Sequence, residues 1–117
     1  MSQMGKKILV VDDEPQIVKV LKAYLEKSGY RVLTAYEGQA ALSLFSKEEP
    51  DFVILDLNLP GMDGLEMTRR LMALQPVIRI MVVTGYDNFQ YAQRCCALGV
   101  KHLLIMQVDA SEQIRLI

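Results

Sequence analysis

Five short, mainly apolar runs punctuate the chain: 6–11 (KKILVV), 31–35 (RVLTA), 50–57 (PDFVILDL), 77–85 (VIRIMVVTG) and 101–106 (KHLLIM). Runs of this length, apolar on successive residues, predict strands buried on both faces. Between them the apolar positions change to helical spacing. In 14–29 (EPQIVKVLKAYLEKSG), Ile17, Leu21, Tyr24, Leu25 and Ser28 share one face, Pro15 suits a first turn and Gly29 a C-terminal cap. Residues 37–48 predict a second helix, with Ala41, Leu44 and Phe45 on one face, and 65–74 a third. Residues 88–99, closed by Gly99, predict a fourth, and 109–117 (DASEQIRLI), opening on the N-cap candidate Asp109, the start of a last one.

Strand and helix thus alternate five times. That pattern predicts an α/β fold: one parallel sheet, helices on both faces, right-handed crossovers. A length of 117 residues makes one domain, 1–117, with no linker, repeat or low-complexity segment. The last helix has room for about two turns. It is expected to be truncated, in a domain cut from a longer protein that carries an output domain.

Composition narrows the function classes. A formal net charge of -1 offers no basic surplus for nucleic acid. No apolar run reaches the ~20 residues of a membrane helix, and MSQMGKK lacks the apolar stretch of a secretory signal. The only cysteines, Cys95 and Cys96, are neighbours and do not form an ordinary structural bridge. Reduced thiols and a cytoplasmic location follow.

Ligands of open parallel sheets bind beyond the carboxyl ends of the strands. The first strand exits into Asp12, Asp13 and Glu14, the third at Asp56 with Asn58 beyond, the fourth at Thr84-Gly85, and the fifth at Met106-Gln107. If strands one, three and four are neighbours, three aspartates and a threonine hydroxyl converge. Taken singly, each has a plainer role: Asp13 or Glu14 before Pro15 as a helix cap, Asp56 as a turn cap, Thr84 as a loop hydroxyl. Together they share one sheet edge. Clustered carboxylates repel, so they take up protons or bind a cation. Hard oxygen ligands without histidine or cysteine suit Mg²⁺ or Mn²⁺ better than zinc.

These residues resemble the receiver domain of two-component response regulators over nearly the whole chain. ILVVDDEP is similar to the acidic pocket after the first strand, DFVILDLNLPGMDG to the phosphoacceptor segment, MVVTGY to the threonine after the fourth strand, and ALGVKHLLI to the approach to the fifth. The resemblance implies a flavodoxin-like, three-layer fold with a five-stranded parallel sheet in order 2-1-3-4-5. It also implies that Asp56 accepts a phosphoryl group from phosphohistidine on a sensor kinase or phosphotransfer protein. Asp13 directly, Asp12 through water, Asp56 and the Asn58 backbone carbonyl would hold Mg²⁺. Thr84 would donate to a phosphoryl oxygen, Gly85 leave room for it, and Pro60 and Gly64 shape the loop. The output face would combine the fourth helix, fifth strand and fifth helix, including Tyr91, Arg94, Cys95, Lys101 and Leu103. Homodimerisation is left open. Tyr86 would stand at the pocket mouth or pack on the helix that follows.

Two positions depart from the family. Its lysine at the end of the fifth strand is Met106 here, with Gln107 in place of the following proline, and its aromatic residue is Leu103. Lys101 is five residues from Met106, ~16 Å along a strand and of the wrong parity; His102 is ~13 Å away. No Lys or Arg occurs between Leu103 and Ile114, and Arg115 falls in the expected last helix. The cation is therefore absent. Slower phosphoryl transfer and weak coupling to the output face are expected, with metal binding retained. The departures also raise a second reading, a pseudo-receiver that binds protein without phosphate switching. A third, an aspartate-nucleophile phosphohydrolase, is disfavoured by Asn58, two residues after the nucleophile where such enzymes often carry an acid, and by the lack of room for a substrate cap.

Overall fold

The computed structural model describes residues 5–56, 59, 62–84, 93, 94, 97, 102–108 and 114–116; for Thr84, 102–108 and 114–116 it describes the backbone. The elements run β1 (Lys7–Val11), α1 (Pro15–Lys27), β2 (Arg31–Ala35), α2 (Gly38–Glu48), β3 (Phe52–Asp56), α3 (Gly64–Leu74), β4 (Arg79–Thr84), β5 (His102–Val108) and β6 (Ile114–Leu116). The sheet order is β2-β1-β3-β4-β5-β6. The first five strands pair in parallel, in the order expected of a flavodoxin-like fold. Of the fourth expected helix, residues 93, 94 and 97 are helical and the others lie outside the described residues.

Strand alternation sorts the core into two layers. Leu9, Val11, Val53, Leu55, Ile80 and Val82 face α2 and α3, where Phe45, Met67 and Leu71 meet them. Ile8, Val10, Ile54 and Val83 face α1, which contributes Val18, Leu21 and Leu25. A continuous apolar run is what serves both layers at once: successive residues of β1 and β3 are fully or nearly fully buried on opposite sides. No helix among the described residues is long and apolar enough to cross a membrane.

Local chemistry explains the helix ends. Pro15 opens α1, and beyond its C-terminus Gly29 takes φ 99° while Tyr30 N–H donates to the Leu25 carbonyl at 3.1 Å. Asp63 caps α3, its Oδ1 accepting from Glu66 N–H at 2.8 Å. Glu49 closes α2 in the left-handed region at φ 49°, an unusual place for a side chain.

One expectation fails. Residues 114–116 do not form the last helix; they make β6, antiparallel to β5, with Met106 opposite Leu116, Gln107 opposite Arg115 and Val108 opposite Ile114. The sheet therefore carries a sixth, antiparallel strand beside the five expected parallel ones. Pairing instead satisfies backbone groups along the edge of β5, and the apolar-polar-apolar Ile114-Arg115-Leu116 suits a strand.

Candidate acidic centre at the carboxyl edge of the sheet

β1 and β3 are adjacent and in register, Val11 opposite Leu55, so their exits stand side by side. Asp12 follows the last residue of β1 and Asp56 ends β3. A carboxylate oxygen from each of Asp12, Asp13 and Asp56 lies within 4.8 Å of the others. The backbone fixes this convergence. Asp12 N–H donates to the Ala35 carbonyl at 3.1 Å, tying the β1 exit to the end of β2. The Asp12 carboxylate Oδ1 accepts from Glu14 N–H at 2.9 Å, which turns the chain into α1. Glu14 occupies the N-cap position but makes no side-chain cap bond, so the chain's own turn is held by Asp12.

The three acids differ in environment. Asp12 is 3% exposed, Asp13 is exposed and Asp56 is half-buried. Burial, reinforced by the Asp56 charge, pushes the Asp12 carboxyl up to about 7; the Glu14 N–H pulls the other way, and Asp13 and Glu14 add to the rise. Neutral-pH water thus meets a cluster short of positive charge, satisfied by a proton or by a cation. The donor set fits a hard divalent ion: three carboxylates, no nitrogen or sulfur. Oxygens around Mg²⁺ lie about 3–4 Å apart at 2.0–2.1 Å bond lengths. A spread of 4.8 Å matches that shell after slight contraction or with one carboxylate reaching the ion through water.

The remaining candidates are placed by backbone. Asp56 is in register with Val83, so Thr84 stands one residue beyond it on the neighbouring strand. Thr84 is in register with Ile105, which puts Met106 one step further along β5, at the same edge. Leu103 pairs with Val82, mid-strand. Arg115, expected in a helix, lies instead on β6 opposite Gln107, next in sequence to Met106. Gly64 is the first residue of α3, and Arg94 is helical and exposed. Asn58, Pro60, Gly85, Tyr86, Tyr91, Cys95 and Lys101 lie outside the described residues.

Two features of the site escaped the sequence. Asp12, not Asp13, is the buried member and the turn acceptor. Gly38, at the start of α2, lies against Met62 of the segment leading from β3 to α3, where an added Cβ would come within 3.0 Å of the Met62 Cβ. That glycine lets α2 approach the connection that follows Asp56, and its lone position at a helix start gave no signal.

Comparisons with known proteins agree with this geometry. The response regulator receiver domain profile matches residues 8–117. The sporulation initiation phosphotransferase F of Bacillus subtilis is 38% identical over 96 residues, 82% of this chain and 77% of that protein. The alkaline phosphatase synthesis transcriptional regulatory protein PhoP of the same organism is 45% identical over 85 residues, 73% of this chain but 35% of that protein. A crystal structure of a response regulator receiver domain protein from Clostridium thermocellum superposes with a TM-score of 0.83 at 30% identity, over 92% of this chain and 86% of that one. A CheY-like receiver from Methanospirillum hungatei gives 0.82 at 28%, over 90% and 84%.

Proposed function

The chain belongs to the response regulator receiver domain family, and from that premise we propose that Asp56 is the phosphoacceptor of a two-component phosphorelay. Receiver domains are the phosphoacceptor modules of two-component signalling; they exchange with histidine kinases or phosphotransfer proteins and act on output domains. The observation that carries the assignment is the meeting of Asp12, Asp13 and Asp56 oxygens within 4.8 Å at the carboxyl edge of adjacent strands.

In the proposed reaction a carboxylate oxygen of Asp56 attacks phosphorus on a donor phosphohistidine. The P–N bond breaks, its electron pair stays on the imidazole, and an aspartyl phosphate forms. Asp12, Asp13, Asp56 and the Asn58 backbone carbonyl would hold Mg²⁺. When bound, the ion supplies positive charge against nucleophile and phosphoryl oxygens, where most of the stabilisation in such transfers arises. Any proton that the Asp12 carboxyl carries would have to leave for it to serve as a ligand. Thr84 donates to a phosphoryl oxygen and Gly85 leaves space beside it. The chain assists its own phosphorylation without turning over as an enzyme. It works in the cytoplasm, in keeping with two adjacent cysteines that cannot form an ordinary bridge. Its output face lies around Arg94 and β5, either in a longer protein or in a homodimer.

One observation favours a second reading. Met106, at the family's lysine position, brings no charge to that edge. A pseudo-receiver would keep the fold and the acids yet use its surface without phosphate. Intact-mass spectrometry after incubation with acetyl phosphate and Mg²⁺, with Asp56→Ala in parallel, separates the two. One added phosphoryl group on the wild type and none on the variant is the expected result. No added mass, with Mg²⁺ binding intact, would establish the pseudo-receiver.

A further inference from the structure

α2 and α3 touch each other, and each ends at the amino edge of the sheet, opposite to the acidic centre. Between their C-termini, where the chain turns back into β3 and β4, lies a groove of about 480 Å³, lined entirely by described residues. Its sunken part is apolar: Phe45 and Pro50 are buried and Ile78 is half-buried. Leu74 and Val77 stand at its rim, 56% and 81% exposed, with polar Ser46 and Gln75 beside them. Scattered apolar residues are ordinary on a surface, whereas adjoining ones rimmed by polar groups mark an interaction site.

The groove is also negative. Glu49 and Asp51 line it, both exposed, and among the described residues neither is in an ion pair. Asp51 accepts from Lys7 N–H at 2.9 Å, a bond that leaves its charge unneutralised, while the Lys7 ammonium is held by Glu48 at 3.6 Å. Two helix ends add to this. Glu49 N–H donates to the Phe45 carbonyl at 3.0 Å in α2, and Gln75 N–H to the Leu71 carbonyl at 2.9 Å in α3. The next residue is proline in both cases, Pro50 and Pro76, so the Ser46 and Met72 carbonyls lose the donor four residues on. Two helix dipoles thus bring their negative ends to one groove. The last turn of α3 has no basic residue, and Lys47, in that of α2, does not line the groove. Glu49 itself sits at φ 49°, where glycine would be easier, so a carboxylate stands at a backbone position that penalises any side chain.

From this we infer that the groove is a docking site for a segment of a partner protein that presents an arginine beside a bulky apolar side chain. The apolar member enters over Phe45, Pro50 and Ile78 and covers Leu74 and Val77. Charge complementarity selects its neighbour: two carboxylates and two helix C-termini call for a cation. The acceptors come from separate elements, which suits the five donors and weak hydration of a guanidinium better than the compact, strongly hydrated ammonium of lysine. The exposure of the rim selects the kind of partner. A small ligand fills a cavity, but Val77 at 81% exposure is covered only by a surface laid across it. The groove lies at the edge of the sheet opposite to Asp56, and its occupant does not depend on the phosphoacceptor reading.

The test selects a phage library of random nonapeptides on the immobilised full chain and discards sequences that also bind the double variant Glu49→Lys with Val77→Asp. Both positions are exposed, and the variant should keep the circular dichroism and Mg²⁺ titration of the wild type. The survivors should converge on arginine next to leucine, isoleucine, methionine or phenylalanine. One survivor, made with a fluorescein label, should then bind saturably in fluorescence anisotropy and weaken with salt. Lysine in place of its arginine should weaken it severalfold and citrulline, which is uncharged, roughly tenfold or more. Glu49→Lys should weaken the arginine peptide by a similar factor and improve binding of a version with glutamate in that place. Glu49→Gly should lower the affinity even as it relieves the backbone, an opposition that a purely structural Glu49 would not produce. No convergence, survivors without arginine, or equal binding of the arginine and citrulline peptides would overturn the inference. So would displacement of the peptide by agmatine, a small guanidinium, at lower concentration than by unlabelled peptide, which would make the groove a small-molecule site.

Discussion

Replacing Asp12 by Asn should make the metal-free protein more stable, and increasingly so as the pH rises. Asparagine keeps the shape and the oxygen that accepts from Glu14 N–H, but removes the buried charge. In the wild type the Asp12 carboxyl moves from 3.8 in the unfolded chain to about 7 in the fold, chiefly through burial and then the Asp56 charge. A carboxyl whose pKa is raised on folding binds its proton more tightly in the native state. Its contribution is complete below pH 3.8, falls as the pH climbs toward 7 and is gone above it. Three pKa units correspond to about 4 kcal/mol over the full range. Between pH 5 and pH 8 the expected growth in the advantage of Asp12→Asn is about 2.5 kcal/mol. Urea unfolding followed by far-ultraviolet circular dichroism, in EDTA at both values, measures it; the difference between the two proteins cancels groups elsewhere. Saturating Mg²⁺ should reverse the order, stabilising the wild type and leaving the variant nearly unchanged. A stability difference that is the same at pH 5 and pH 8 in EDTA would show that the acids neither hold a proton nor strain the fold, and the electrostatic account of the centre would fail.

Other outcomes follow from single features. Asp63→Ala removes the cap at Glu66 N–H and should cost about 1 kcal/mol in urea unfolding, with the metal titration unchanged. Glu49→Gly relieves the left-handed backbone at φ 49°; after the greater freedom of glycine in the unfolded chain is set against it, a gain of about 0.5 kcal/mol in the same assay is expected. Leu55→Ala, at a site of 0% exposure facing α2 and α3, should cost about 2–5 kcal/mol and broaden the thermal transition. Met106→Lys should speed labelling of Asp56 by acetyl phosphate without changing the dependence on Mg²⁺; an unchanged rate would mean that charge at this position of β5 does not reach the phosphoryl group.

Sequence and structure part company where a residue's fate depends on distant neighbours. The strands around Leu9, Val53 and Val82 were legible because a parallel sheet needs apolar residues on both sides, and a run of them has few other uses. The gathering of Asp12, Asp13 and Asp56 was legible from strand exits plus an assumed adjacency, which the register of β1 with β3 supplies. Which of Asp12 and Asp13 is buried was not legible, since it is set by the bond from Asp12 N–H to Ala35, a residue far along the chain. The tail misled for a related reason. Asp109 and the polar residues after it favour a helix locally, but the backbone along β5 offers Ile114–Leu116 a partner that local propensity does not register.

The three-residue β6 also bears on how copies of this chain can meet. A long parallel edge strand is a template on which another chain's strand can grow, the usual start of runaway sheet extension. Here that side of the sheet ends in an antiparallel strand from Ile114 to Leu116, with an arginine at its centre. A second molecule adding to it would find a few backbone groups of reversed polarity and a charge to bury. Growth by edge addition is thereby blunted on this side, and the opposite boundary, β2, starts on exposed Arg31. Among the described residues, each boundary strand of the sheet thus carries an arginine and runs for five residues or fewer.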